Sequence, residues 1–136
     1  MQTIVRGDRF DLDTSYLAES DAELRHQLEG YAAGEREQFD LTVDYPDGHL
    51  GEVMRAMSAI PYGETRSYGE LAEELGSGAV AVGQACGANP LPVVVPCHRV
   101  VGADGHGGFS SEGGVDAKKR LLAFERGEGL DQFGSQ

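Results

Sequence analysis

The stretch Ser67-Tyr68-Gly69-Glu70-Leu71-Ala72-Glu73-Glu74-Leu75-Gly76-Ser77-Gly78-Ala79-Val80-Ala81-Val82-Gly83-Gln84-Ala85-Cys86-Gly87-Ala88 decides the fold. Ser67 with Glu70 three residues later is a capping box, Leu71, Ala72 and Leu75 follow on one helical face, and Gly76 is a natural stop. A second short helix fits 79–88 after a glycine-containing turn. Two short helices joined so tightly have the outline of a helix-turn-helix, an outline shared by αα-hairpins that bind nothing. The second helix carries no charge and no side chain larger than Gln84. It suits first a tightly packed buried helix; the alternative is a flat surface that lets backbone approach a ligand or a groove.

Upstream, Leu50, Val53, Met54 and Met57 form another helical stripe, closed by Ile60-Pro61-Tyr62-Gly63. Further back, Ser20 and Glu23 have capping-box spacing, Leu24, Leu28 and Tyr31 share a helical face, and Gly34 ends the helix. Phe39, Leu41, Val43 and Tyr45 alternate with polar residues, the pattern of a half-buried strand ending at Pro46-Asp47-Gly48. Residues 1–48 read as a short N-terminal lobe and 49–136 as a second, larger unit. The fold class is α/β (α+β): a small N-terminal helix/strand lobe plus a winged-helix-like helix-turn-helix C-terminal domain with short strands around Cys97.

Downstream, Val93–Val95 and Val100–Val101 are short buried-strand candidates interrupted by Pro96-Cys97-His98-Arg99. The interruption places Cys97 and His98 at a bend. A thiol reacts as thiolate and so needs a base or a positive neighbour, and His98 and Arg99 are residues of those kinds. A buried structural cysteine is the competing reading of the same residues.

The 136 residues hold 11 Lys+Arg against 23 Asp+Glu, a formal charge of −12, and the lysines are Lys118 and Lys119 alone. The excess is largest in 1–48, where 12 acids meet 4 bases. No Lys or Arg occurs in 67–98, so strong phosphate clamping from that face is excluded, and composition alone argues against nucleic acid. An acidic surface of this kind fits solubility in a salt-rich cytoplasm. No run of eighteen apolar residues exists to span a membrane, and MQTIVRGDRF has no signal-peptide core. Two cysteines make no disulfide framework, which points to a reducing cytoplasm, and Cys86, Cys97, His98 and His106 lack zinc-ligand spacing. His26 and His49 read as isolated surface residues.

Against that composition stand the blocks Ile60-Pro61-Tyr62-Gly63-Glu64-Thr65, Ser67-Tyr68-Gly69-Glu70-Leu71-Ala72, Val82-Gly83-Gln84-Ala85, Asn89-Pro90 and Pro96-Cys97-His98-Arg99-Val100. With Lys118, Leu121-Leu122-Ala123 and Glu125 they resemble the O6-alkylguanine-DNA alkyltransferase family over 49–127. The resemblance implies direct DNA repair in the cytoplasm, at the nucleoid: a monomer without cofactor or metal binds double-stranded DNA and flips out O6-alkylguanine, or O4-alkylthymine. It then moves the alkyl group irreversibly onto its own cysteine.

By that resemblance Cys97 is the acceptor, His98 the base acting through a bridging water, and Glu125 the carboxylate that orients the imidazole. Asn89 would hold the turn before the active cysteine, and the Tyr68 hydroxyl would assist at the guanine. Pro92 and the Val100 backbone would line the base pocket, with Phe109 and Ser110 near an aromatic wall and a hydroxyl donor. Val80, Ala81, Gly83, Gln84, Ala85 and Gly87 would face the minor groove. The chain departs from the family pattern at Val80, where arginine is usual, at Met54, and in a longer 102–114 stretch through Ser111-Glu112. Relatives that bind the lesion without accepting the group form the alternative class, and a cysteine hydrolase a third.

Overall fold

A computed structural model describes residues 1–102 and 115–127. The chain opens with a two-stranded antiparallel hairpin, β1 (Gln2–Val5) and β2 (Asp8–Asp11), turned at Arg6 and Gly7, both at positive φ. Helix α1 (Asp21–Ala32) and α2 (His49–Ser58) follow, then β3 (Arg66–Ser67), α3 (Tyr68–Leu75), α4 (Ala79–Gly87), β4 (Val100–Val101) and α5 (Val115–Arg126). Single 3-10 turns lie at Thr14–Tyr16 and Cys97–Arg99. This is a mixed helix and small-sheet architecture, as the sequence predicts. Among the described residues no helix is long and apolar enough to cross a membrane.

The predicted helix-turn-helix forms as α3 and α4, which pack on each other and on α2. The Ser67 hydroxyl accepts from the Glu70 amide at 3.0 Å, and the Glu70 carboxylate accepts from the Ser67 amide at 2.8 Å, closing the capping box. Gly76 stops α3 in the left-handed conformation, φ 66 and ψ 35, where a Cβ would be strained. At Ser20 only half of the expected box forms. Its hydroxyl accepts from the Glu23 amide, while the Glu23 carboxylate accepts from Gln27 instead.

Three expectations about strands need correction. Residues 39–45 alternate between half-buried and exposed as predicted, yet among the described residues they join other backbone through a single bridge, Leu17 with Val43. Val93–Val95 is a turn rather than a strand: Val93 sits at φ 75, and the Val95 amide reaches back to the Leu91 carbonyl at 2.8 Å. The hairpin at 2–11 was not anticipated at all.

One hydrophobic core runs through the molecule. Val5, Phe10 and Leu12 of the hairpin, Leu24, Leu28 and Tyr31 of α1, Val53, Met54 and Met57 of α2 and Leu121 of α5 belong to it. Burial at roughly 1.5–3 kcal/mol per large apolar side chain makes this the main stabilising term. Parallel pairing of β3 with β4, Arg66 opposite Val100, lays the Cys97–Arg99 turn beside the start of α3, while α5 packs against that same turn.

Candidate active site

The turn that carries Cys97 is built by Asn89. Its side-chain amide donates to the Val95 carbonyl at 2.8 Å, and its carbonyl accepts from the Leu91 amide at 3.1 Å. One buried side chain thereby ties the end of α4 to the segment entering Cys97. Pro92 and Val100 are buried beside it, and the Cys97 amide donates to the Val95 carbonyl at 2.8 Å.

Cys97 is 1% exposed. Burial pushes its thiol up to about 12, against smaller downward pulls from an Asn89 hydrogen bond and the Lys118 charge. That shift favours the thiol over the thiolate in the resting site, so the sulfur needs a base to take its proton. Arg99 turns the other way.

Its guanidinium makes a two-pronged pair with Glu125, Nε to Oε1 at 2.9 Å and Nη2 to Oε2 at 3.0 Å, and donates through Nη1 to the Ile60 carbonyl at 2.8 Å. Glu125 also accepts from the Gly63 amide at 3.2 Å, and its Oε2 meets His98 Nε2 and the Tyr31 hydroxyl, each at 2.6 Å. Tyr31 and His98 have no measurable exposure. Three segments distant in sequence, at Tyr31, Gly63 and His98–Arg99, thus converge on one carboxylate.

The protonation states follow. Burial alone would raise Glu125, but hydrogen bonds and charge from His98 and Arg99 more than offset it and hold the carboxyl far below its usual range. For His98, burial dominates and pushes the imidazole down, against the upward pull of Glu125. An ionised carboxylate only accepts, so the proton of a neutral imidazole must sit on Nε2. Nδ1 is then a bare lone pair. It is fully buried and without a hydrogen-bond partner among the described residues.

Lys118, on α5, is 1% exposed and donates from Nζ to the Tyr68 hydroxyl at 3.3 Å, 5.3 Å from the centre of that ring. Burial first, then the nearby Cys86 and Cys97, pushes Tyr68 up to about 12, so it stays a hydroxyl donor. A cavity of about 450 Å³ lies on the Arg99 side, walled by Tyr62, Val93, Pro96 and Arg99 among others; Cys97 is not one of its walls.

On α4 the exposed face carries Val80, 76% exposed, with Gln84 and Gly87, while Ala81 and Gly83 are half-buried. Ala85 does not belong to that face. It is 5% exposed and packs in the core with Val82 and Cys86, because a nine-residue helix on a core must turn one side inward. Phe109 and Ser110, and the longer stretch through Ser111-Glu112, lie outside the described residues. His49 is half-buried, with Nε2 3.0 Å from the Ser77 hydroxyl, rather than a free surface residue.

Cys97, His98, Glu125, Asn89 and Tyr68, which the resemblance singles out, lie around one turn in the structure. Sequence reasoning missed Tyr31, and it gave Lys118 no part. A tyrosine closing an apolar helical stripe, whose hydroxyl needs a partner once buried, was the available signal.

Comparison with known proteins adds an independent line. Residues 50–127 match the model of the 6-O-methylguanine DNA methyltransferase DNA-binding domain. A methylated-DNA–protein-cysteine methyltransferase of Mycolicibacterium paratuberculosis is 52% identical over 104 residues, covering 74% of this chain and 62% of that one. One of the same name from Archaeoglobus fulgidus is 42% identical over 116 residues, covering 80% and 78%. Among solved structures, the OGT of Mycobacterium tuberculosis in complex with DNA superposes with a TM-score of 0.69 at 43% identity, covering 79% of this chain and 68% of that one. The matched region spans 62% of the length of the mycobacterial relatives. A family match over more than half of the residues, joined to an α3–α4 pair leading into a Cys-His turn, places this chain in the 6-O-methylguanine DNA methyltransferase family.

Proposed function

We propose that the protein repairs DNA by moving the alkyl group of O6-alkylguanine onto Cys97, once per molecule. The observation that carries this reading is the bare, buried His98 Nδ1 next in sequence to the buried Cys97 thiol. With Nε2 committed to Glu125, that lone pair is a base in waiting.

The chemistry balances without a cofactor. The Cys97 thiol proton passes to His98 Nδ1 through a bridging water, and the sulfur attacks the alkyl carbon. A sulfur–carbon bond forms, the carbon–O6 bond breaks, and its electron pair returns to the O6–N1 system. The proton is repaid at N1, which restores guanine. The imidazolium formed midway is stabilised by Glu125, preorganised by its other donors. The product is a thioether, whose sulfur is a poor leaving group, so the protein is consumed.

A Tyr68 hydroxyl backed by the Lys118 ammonium is a donor suited to the departing base. For access to the duplex, α4 would present Val80, Gln84 and Gly87 to the minor groove, where small residues fit. Val80 cannot hydrogen-bond an orphaned cytosine, so it would act as an apolar wedge. In the same reading residues 49–136 carry the DNA-binding and acceptor parts. O4-alkylthymine offers the same alkoxy-imine chemistry and is a second substrate class.

Intact-mass measurement after incubation with a duplex containing one O6-methylguanine tests the reading. A gain of one methyl per chain, saturating at one, is the expected result. Tight lesion binding without a mass gain would instead assign the protein to the lesion-binding class.

A further inference from the structure

We propose that Tyr31, on α1 of the N-terminal part, is a positioning residue of the reaction: through its bond to Glu125 it keeps His98 in the proton-accepting form. The inference rests on the reading of Cys97 and His98 as the reacting pair, and adds to it a control point ninety-four residues away in sequence from the carboxylate it holds.

The geometry is specific. The Tyr31 hydroxyl reaches Oε2 of Glu125 at 2.6 Å, the same oxygen that receives His98 Nε2 at 2.6 Å and Arg99 Nη2 at 3.0 Å. The ring has no measurable exposure and is fixed from several sides, by Phe39 at 5.5 Å, Tyr62 at 6.2 Å and Phe124 at 5.7 Å between centroids. Burial, and then the Glu125 charge, pushes the phenol well above its usual range, so it donates at every working pH. It brings a donor without bringing a charge.

That difference matters to His98. Every donor on Oε2 withdraws electron density that would otherwise stabilise an imidazolium at Nε2. The charged and titratable groups around the pair are Arg99 on the same turn, Lys118 on α5, Tyr62 in the segment before β3, and Tyr31 on α1. Arg99 and Lys118 hold His98 down by charge, whereas Tyr31 does so by occupying the carboxylate. Loss of its hydroxyl leaves Glu125 ionised and paired, but more basic toward His98. His98 then protonates at higher pH, and its Nδ1 is blocked where the native protein keeps it open.

The experiment compares the full chain with Tyr31→Phe, which keeps the ring and its packing, and with Tyr62→Phe, a neighbouring ring whose hydroxyl makes no bond to Glu125. The His98 titration is followed by NMR of histidine-labelled protein without DNA, and single-turnover methyl transfer is followed as a function of pH. In Tyr31→Phe the His98 titration and the acid limb of the rate profile both move up by about half a pH unit or more. Tyr62→Phe moves neither. A role confined to packing would lower thermal stability or the plateau rate and leave both midpoints in place, and that result overturns the proposal. A downward move of the His98 titration overturns it as well. If the native protein transfers no methyl group, the functional reading falls, while the NMR titration still decides what Tyr31 does to His98.

Discussion

Glu125 gathers more of the site than any other residue. Its two oxygens accept from His98, Arg99, Tyr31 and the Gly63 amide inside a region closed to solvent. Burying a guanidinium and a carboxylate costs several kcal/mol each, and only such dense bonding offsets it. In Glu125→Gln, Arg99 becomes an unpaired buried cation and His98 loses the acceptor that fixes its tautomer. The variant is expected to be less stable than the native protein by about 3–5 kcal/mol at neutral pH, by urea denaturation. Its transfer rate is expected to fall at least tenfold. The sign of the pH dependence is set by the depressed carboxyl: its contribution is complete above the ordinary value of 4.5 and fades as pH falls toward the folded value. The stability gap between the two proteins therefore narrows on acidification. A gap that is small at pH 7, or that widens in acid, would show that the carboxylate is not held as described.

At the scale of elements, two glycines on neighbouring helices have opposite reasons to be there. A Cβ on Gly51, in the first turn of α2, would lie 1.7 Å from the Pro46 carbonyl oxygen, so the chain entering α2 can cross that helix only over bare backbone. A Cβ on Gly83, in the middle of α4, meets nothing within 4 Å. Gly51→Ala should destabilise by about 1–3 kcal/mol because backbone has to move. Gly83→Ala should stabilise by about 0.5–1 kcal/mol through helix propensity alone, while weakening binding to lesion-bearing duplex if α4 enters the groove. Thermal melts of the two variants check the signs. Equal and opposite behaviour from that expected would mean that the α2 crossing, or the open face of α4, is misplaced.

At the same scale, local signals were legible wherever the physics is local. Ser67, Glu70 and Gly76 announce α3 from both ends, and the structure uses all three. The hairpin at 2–11 turns on Arg6-Gly7, both at positive φ, and its strands of four residues are too short for alternation alone to announce them. The 39–45 alternation correctly gave burial, since one face meets the core, but alternation says nothing about whether a partner strand exists.

Across the whole molecule, what the sequence could not show is which distant side chains meet. Cys97, His98 and Arg99 are neighbours in the chain, a thiol beside a base and a fixed positive charge, and adjacency does not say which way each side chain faces. In the folded protein Arg99 serves Glu125, and the thiol is left protonated in the core. Tyr31 reads as one more core residue of a helical stripe, and only its packing against Phe124 of α5 brings its hydroxyl onto Glu125. The N-terminal part is accordingly continuous with the acceptor region through one core. The proposal that joins these scales is that the buried Cys97 thiol hands its proton to His98 and its sulfur takes the alkyl group. Peptide mapping by mass spectrometry, after reaction with an excess of O6-methylguanine duplex, tests it directly. The account predicts S-methylation confined to Cys97, with Cys86 unmodified and the guanine restored. Methyl on Cys86, or none on the protein while the lesion stays bound, would contradict it.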